Sequence, residues 1–214
     1  MTSQDFSGRL ALTDADLSAA YNLRNKVYVE EQGFDADRDM NSLDDISAHL
    51  LLINESDKSI QGTLRIIPLP LPEEPLMCYS RSRKDQSPPG HGRSEAQVIA
   101  AIVDRQQVLE QSVDSPSALL SGVKLGRIVI SSEHRGRGAG RYLLDSAEKW
   151  VIQALSNTPV SQGTKTVDAN IELSALVIAR KFYDRLGYHT DNIEYMEEGK
   201  PHMHFEKRVT VRTS

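Results

Sequence analysis

Ile128-Val129-Ile130-Ser131-Ser132-Glu133-His134-Arg135-Gly136-Arg137-Gly138-Ala139-Gly140 is the stretch on which the reading of the chain turns. Its first residues end an apolar run from Gly122 that reads as a buried strand. Beyond Gly138, Ala139, Leu143, Ala147, Trp150 and Ala154 recur at spacings of three and four, which predicts an amphipathic helix to about Leu155. A helix N-terminus leaves backbone N–H groups unpaired and carries partial positive charge. Glycines let the backbone approach an anion closely, and Arg135, Arg137 and Arg141 add charge, so a phosphate or pyrophosphate site is expected here. The same residues also fit a Gly/Arg-rich surface turn that only starts a helix. A P-loop requires Gly-Lys-Ser/Thr at its end, whereas Gly140 is followed by Arg141-Tyr142. The dinucleotide pattern fails too, because its last glycine falls on Arg141 or Leu143.

Downstream, Lys165 to Leu173 reads as a strand and Ala175 to Leu186 as a helix with Ala175, Ala179, Phe182 and Leu186 inward. Gly187 suits its left-handed C-cap. His189 to Tyr195 and His202 to Val209 read as closing strands joined at Glu198-Gly199-Lys200-Pro201. Upstream, residues 9–12 read as a first strand, and Thr13-x-x-Asp16 opens a helix that fades near Glu30-Glu31-Gln32-Gly33. Residues 35–47 read as acidic and irregular, His49 to Ile53 and Ile60 to Ile67 as a hairpin. Six of the nine prolines lie between positions 68 and 89, which marks a loop or linker, and Ser94-x-x-Gln97 opens a helix expected to reach Gln111. The order is mixed α/β, β-α-β-α in the second half, on a chain whose 214 residues suit a single domain over 1–214 with an insertion at about 68–120.

Composition narrows the function. A net charge of −5 gives no overall drive toward nucleic acid or anionic membranes, so neither is expected as a partner. Cys78 is the single cysteine, which excludes an internal disulfide and multi-thiolate zinc sites. His202-x-His204 puts two imidazoles on one strand face, but neither HExxH nor a cysteine cluster completes a metal site, and no metal is expected. The N-terminus has no basic region followed by an apolar run, and no stretch of about 18 apolar residues occurs, so the expected location is cytoplasmic.

Arg135-x-x-Gly138-x-Gly140 between strand and helix resembles the R/Q-x-x-G-x-G/A signature of the GNAT acetyltransferase superfamily. Phe182-Tyr183-Asp184-Arg185-Leu186-Gly187-Tyr188 is similar to that superfamily's FY-x-x-x-GF segment. Tyr195 to Met203 resembles the EEDGxPH segment of ElaA-like members, and Leu23-Arg24-x-x-Val27-Tyr28-Val29-x-Glu31-Gln32 their first helix. Many members carry Asn where Leu176 stands, and the segment from Pro68 to Leu120 exceeds their usual third-to-fourth strand link. It is free to cover the active site, to make a homodimer, or to do nothing specific.

The resemblance implies a GNAT fold whose fourth strand (Leu125 to Ile130) splays from the fifth (Lys165 to Leu173). It implies acetyl-CoA as co-substrate, with the pantetheine arm along Ile128, Val129 and Ile130 and the pyrophosphate on Arg135, Gly136, Arg137, Gly138, Ala139, Gly140 and Arg141. The acceptor is then a primary amine of a small molecule or peptide, and Tyr183 the general acid that protonates the leaving thiolate. The base is open among Glu30, Glu31, Glu172 and His202, with Glu31 and His202 ranked first because they lie in the ElaA-like segments. Lys124 and Arg127 suit an acidic substrate or a charged sheet edge. Three other readings stand beside this one: an amino-sugar acetyltransferase, a non-catalytic acyl-CoA-binding module, and an interaction protein working through the proline-rich insert.

Overall fold

A computed structural model describes residues 5–80, 87–109, 118–160 and 165–213. Alternating apolar residues set the strands: β1 (Phe6–Leu10), β2 (Ala48–Asn54), β3 (Ile60–Pro68), β4 (Val108–Leu109), β5 (Ala118–Ile130), β6 (Thr166–Leu176), β7 (Glu194–Glu197) and β8 (Lys200–Arg212). They form one mixed sheet in the order β1-β2-β3-β5-β6-β8-β7, with the two-residue β4 paired to β5. Every pairing is antiparallel except β5 with β6, the strands expected to splay. This mixed α/β architecture is the expected fold class.

Helix α4 (Ala139–Leu155) turns Leu143, Leu144, Ala147, Val151 and Leu155 onto the sheet. There they meet Leu64, Ile66, Val123, Leu125, Ile171 and Leu173 in the main core. Helix α3 (Glu95–Val103), closed at its N-terminus by the Ser94/Gln97 capping box, adds Val98 and Ile102 to that core. On the other face α1 (Asp14–Arg24) packs Leu17, Ala20 and Tyr21 on Leu51 and Ile53. Thr13 caps α1 by accepting from the Asp16 N–H, and a π-helical stretch, Asn25–Glu31, ends it. A short α2 (Leu43–Ile46) leads into β2. Among the described residues no helix is long and apolar enough to cross a membrane.

Five expectations move. The first strand starts at Phe6, not residue 9. Helix α3 stops at Val103, and Leu109 sits in β4 opposite Leu119 because pairing with β5 outcompetes one more helical turn; the expected end at Gln111 lies outside the described residues. Ala175 and Leu176 extend β6 instead of opening a helix, since β8 pairs them as far as Leu176↔His202. The chain then makes a 3₁₀ turn before α5 (Arg180–Asp184), and this rephasing turns Phe182 outward and Tyr183 inward, the reverse of the expected stripe. The strand expected from His189 shrinks to β7, with His189 bridging only Glu206.

Candidate active site

Strands β5 and β6 run side by side from Ala118↔Val167 to Leu125↔Leu173, and there their pairing ends. Each continues with its other neighbour: β5 follows β3 to Gly62↔Ile130, and β6 follows β8 to Leu176↔His202. A V-shaped gap opens between them. Its hinge is a bulge, because β5 uses three steps from Gly126 to Val129 while β3 uses two from Arg65 to Thr63. The extra residue is Arg127, held at φ 52°. Its guanidinium donates to the carbonyls of Arg38 (2.8 Å) and Asp39 (3.0 Å), which ties the bulge to the turn beyond α1. Arg127 is thus engaged by the protein itself.

The glycine-rich loop follows directly from β5. Gly136 (φ 72°) and Gly138 (φ 85°) adopt left-handed backbone, which side chains disfavour, and a Cβ at either would meet nothing within 4 Å. Gly138 is the N-cap of α4 and has no side-chain cap. None of the backbone N–H groups from Gly136 to Arg141 has an acceptor among the described residues. These donors stand at the N-terminus of a 17-residue helix, where the backbone carries partial positive charge. A Cβ at Gly140 would meet the Phe182 ring at 3.3 Å, so this glycine lets α5 lie against the first turn of α4. Of the remaining loop residues, Ala139 is buried in the core, Arg137 is exposed, and Arg141 stands near Asp145 at 3.5 Å. Arg135 donates through Nε to the Ile130 carbonyl and pairs with Glu31.

On the uncovered sheet face a cavity of about 590 Å³ occupies the gap, lined among others by Ile128, Ser174, Tyr183 and His202. The loop residues 135–141 are not part of this lining, nor are Val129, which is buried in the core, and Ile130. The Ile128 carbonyl accepts from Tyr28 Oη (3.2 Å), whose burial pushes that phenol up to about 12. Leu71, Leu76 and Cys78 also line the cavity, so the proline-rich segment forms one wall of it. Cys78 stands at that wall, where a β-type backbone bridge to Asn41 holds the loop.

Tyr183 is 6% exposed, its ring packed edge-on to Phe182 and Tyr188 and tilted against Phe205. Its hydroxyl has no hydrogen-bond partner among the described residues, and burial pushes its pKa up, so the phenol is neutral and able to donate. His202 Nδ1 lies 2.9 Å from the Lys200 carbonyl, an oxygen that only accepts. The proton of a neutral His202 is therefore fixed on Nδ1, and Nε2 is left as an acceptor. The other base candidates are occupied elsewhere. Glu31 holds Arg135, Glu30 accepts from Asn25, and Glu172 faces His204 at 3.5 Å.

Two features had no readable signal in the sequence. Ser174 Oγ bonds both Tyr195 Oη (2.6 Å) and a Glu197 carboxylate oxygen (2.5 Å) at the cavity edge. Beneath the cavity, Arg24 donates to Asp39 (3.0 Å) and Asp44 (2.9 Å), and Arg65 to Asn41 (2.9 Å) and Asp44 (3.1 Å), all of them buried. Tyr28 and Glu197 lie in the two ElaA-like segments, so the resemblance pointed to their segments but gave neither residue a role.

Two models of the acetyltransferase (GNAT) domain match the chain, one over residues 95–209 and one over residues 23–145. Among solved structures, an acyl-CoA N-acyltransferase from Pseudomonas aeruginosa is similar at 21% identity and a TM-score of 0.51, covering 95% of this chain and 98% of that one. ElaA of Escherichia coli is similar at 17% identity and a TM-score of 0.52, with 94% and 97% covered. A CoA-dependent acyl-homoserine lactone synthase, BjaI, solved with SAM and isopentyl-CoA, has 14% identity and a TM-score of 0.53, with 98% and 83% covered. At these identities the likeness is one of fold. No curated protein sequence matches the chain.

Proposed function

The chain belongs to the GNAT acetyltransferase family, and from that premise we propose that it transfers the acetyl group of acetyl-CoA to a primary amine by direct attack, in the cytoplasm. The observation that carries this reading is the opening of β5 from β6 at Leu125↔Leu173, which leads to a loop with six N–H groups in want of an acceptor. The gap is of the right kind for a narrow pantetheine arm. The open space at Gly136 and Gly138 suits a pyrophosphate approaching the backbone.

An amine attacks the thioester carbon as its neutral form, so a proton must leave the ammonium first. We assign that proton to His202 Nε2, the ring nitrogen left as acceptor at the cavity wall. The new N–C bond forms as the C–S bond breaks, and the Tyr183 hydroxyl gives its proton to the departing sulfur. Burial holds the phenol well above its ordinary pKa, so it stands protonated, in the donor form, as the C–S bond breaks. Glu31 is assigned instead to orienting Arg135 at the phosphate loop.

Calorimetry with acetyl-CoA and thiol release over a panel of amines test the reading. Tyr183→Phe is expected to lower kcat by about a hundredfold or more while acetyl-CoA still binds. Turnover close to that of the unaltered protein would remove Tyr183 as the acid.

A further inference from the structure

Charge is unevenly placed under the cavity. On the sheet face that α4 does not cover, Arg65 stands opposite Gly126 and Ile67 opposite Lys124, so the two cations are diagonal neighbours on adjacent strands. Such positions lie about 7–8 Å apart at the backbone, within reach of one small anion between two long side chains. Both residues line the cavity.

Neither cation is fully satisfied among the described residues. Arg65 uses Nη1 for Asn41 and Asp44, while its buried Nε has no acceptor and its Nη2 makes no hydrogen bond among the described residues. Lys124 has no acceptor within the described residues either. Glu172 stands opposite it in register, but its carboxylate turns to His204. Gly126 places no side chain over the Arg65 guanidinium, whose Nε is the nearest polar atom a Cβ there would meet.

The buried cluster as a whole is cationic. Among the described residues Arg24, Arg65 and Arg127 face only two carboxylates, Asp39 and Asp44. His49 does not alter this balance, since burial holds it neutral with a pKa lowered to about 4. Arg38 and Asp35, on the rim, oppose each other at 3.8 Å. Asp45 is engaged by the Tyr79 hydroxyl and the Gly90 N–H. With Lys124 added, the floor carries positive charge that no described side chain neutralises. Acidic groups lie at the other end of the same cavity, where Glu197 and Glu198 stand by the β7–β8 turn near His202.

We infer that the acceptor is an α-amino acid, its carboxylate held by Arg65 and Lys124 on the cavity floor and its amine directed to the acidic, His202 end. This rests on the acyl-transfer reading and names the substrate class of that site. The floor is not a second contact for the donor's phosphates. Lys124 lies six residues before Ile130 on β5, about 20 Å along an extended strand from the point where the phosphate loop begins. Apolar walls from Ile67, Leu71 and Leu76 favour amino acids with uncharged side chains.

The test is thiol release from acetyl-CoA with the twenty common amino acids, followed by the amide and the decarboxylated amine of the best one. The amino acid is expected to exceed both in kcat/KM by about tenfold to a hundredfold, the range of a charge-assisted hydrogen bond. Lys124→Gln is expected to lower that ratio about tenfold, chiefly through KM for the amino acid. Arg65→Gln should do the same, and if its buried position prevents folding, Lys124→Gln still decides. Equal use of amino acid, amide and amine overturns the carboxylate anchor and leaves acyl transfer standing. So does an unchanged ratio in Lys124→Gln. Absence of acetyl-CoA binding in calorimetry overturns the acyl-transfer reading and the anchor with it.

Discussion

On β3, β5 and β6 successive side chains point to opposite sides of the sheet, and the two sides hold different chemistry. Under α4 lie Leu64, Ile66, Leu125 and Leu173, none more than 1% exposed. One residue along each strand, on the other side, stand Arg65, Lys124 and Ser174. The apolar side is held by contact area, which is non-directional and relaxes when an atom is lost. The charged side is held by a few directed bonds among desolvated ions, where loss of one partner leaves another uncompensated. Fold and chemistry are thus assigned to separate faces of the same strands, and the faces should fail differently.

The largest loss is expected from Arg24→Met, which keeps much of the volume and removes the charge. Asp39 and Asp44 would lose their shared guanidinium at a site 1% exposed. Breaking a buried pair costs about 3–5 kcal/mol, to be read as a lower urea midpoint at constant slope. A loss under about 1 kcal/mol would mean that Arg65 and Arg127 alone balance the two carboxylates, and the contrast between faces would weaken. Leu173→Ala probes the other face, where deleting a fully buried side chain costs about 2–5 kcal/mol according to how far the cavity collapses. The sharper distinction is in ligand response. Leu173→Ala should leave discrimination among acceptors intact, whereas Arg24→Met should disturb it through Asp44 and Arg65, read as the amino acid to amine ratio in the thiol assay.

The apolar face was legible in the sequence, while of the charged one only Lys124 and Arg127 stood out, for a physical reason. Core residues repeat with the period of their own element, so Leu143, Ala147 and Ala154 announce α4, and Gly122 to Ile130 announces β5. The glycine-rich loop was legible as well, because its unpaired donors come from consecutive residues. The ionic cluster joins positions 24, 39, 44, 65 and 127, and only tertiary pairing brings them together. Helix α5 illustrates the same limit. Its phase was read from Phe182, but strand pairing through Leu176↔His202 delays the helix and exchanges the roles of Phe182 and Tyr183. Leu109 was likewise assigned by helical spacing and taken by the β5 ladder.

His49 turns the contrast into a pH dependence. It is buried on the charged side, its Nε2 lies 3.2 Å from the Asp44 carbonyl, and its Nδ1 has no partner among the described residues. Burial lowers its pKa from 6.5 to about 4, against the attraction of Asp44. A depressed folded pKa means that the unfolded chain binds the proton first as pH falls. Stability is therefore full above 6.5 and declines toward about 4, with a slope near 1.4 kcal/mol per unit for one proton. Urea midpoints from pH 7 to 4.5 should show this decline, and His49→Gln should flatten it. An equal slope in both proteins would place the titrating group elsewhere.

The smallest expected stability effect is at Glu31, and it separates two roles for one carboxylate. The Glu31–Arg135 pair is partly exposed, with side-chain accessibilities of 26% and 44%. A pair in water of this kind contributes about 0–1 kcal/mol, so Glu31→Gln should hardly move the unfolding midpoint. Arg135 would nevertheless lose the partner that, with the Ile130 carbonyl, fixes it beside the phosphate loop. A several-fold rise in KM for acetyl-CoA is expected, with kcat and its pH profile retained, because the proposed mechanism sends the amine's proton to His202. A collapse of kcat together with loss of the profile's acidic limb would make Glu31 the base and return Arg135 to a purely structural part. In that case the charged face would reach from the cavity floor to the phosphate loop as one catalytic surface, and the separation between donor and acceptor ends of β5 would no longer hold.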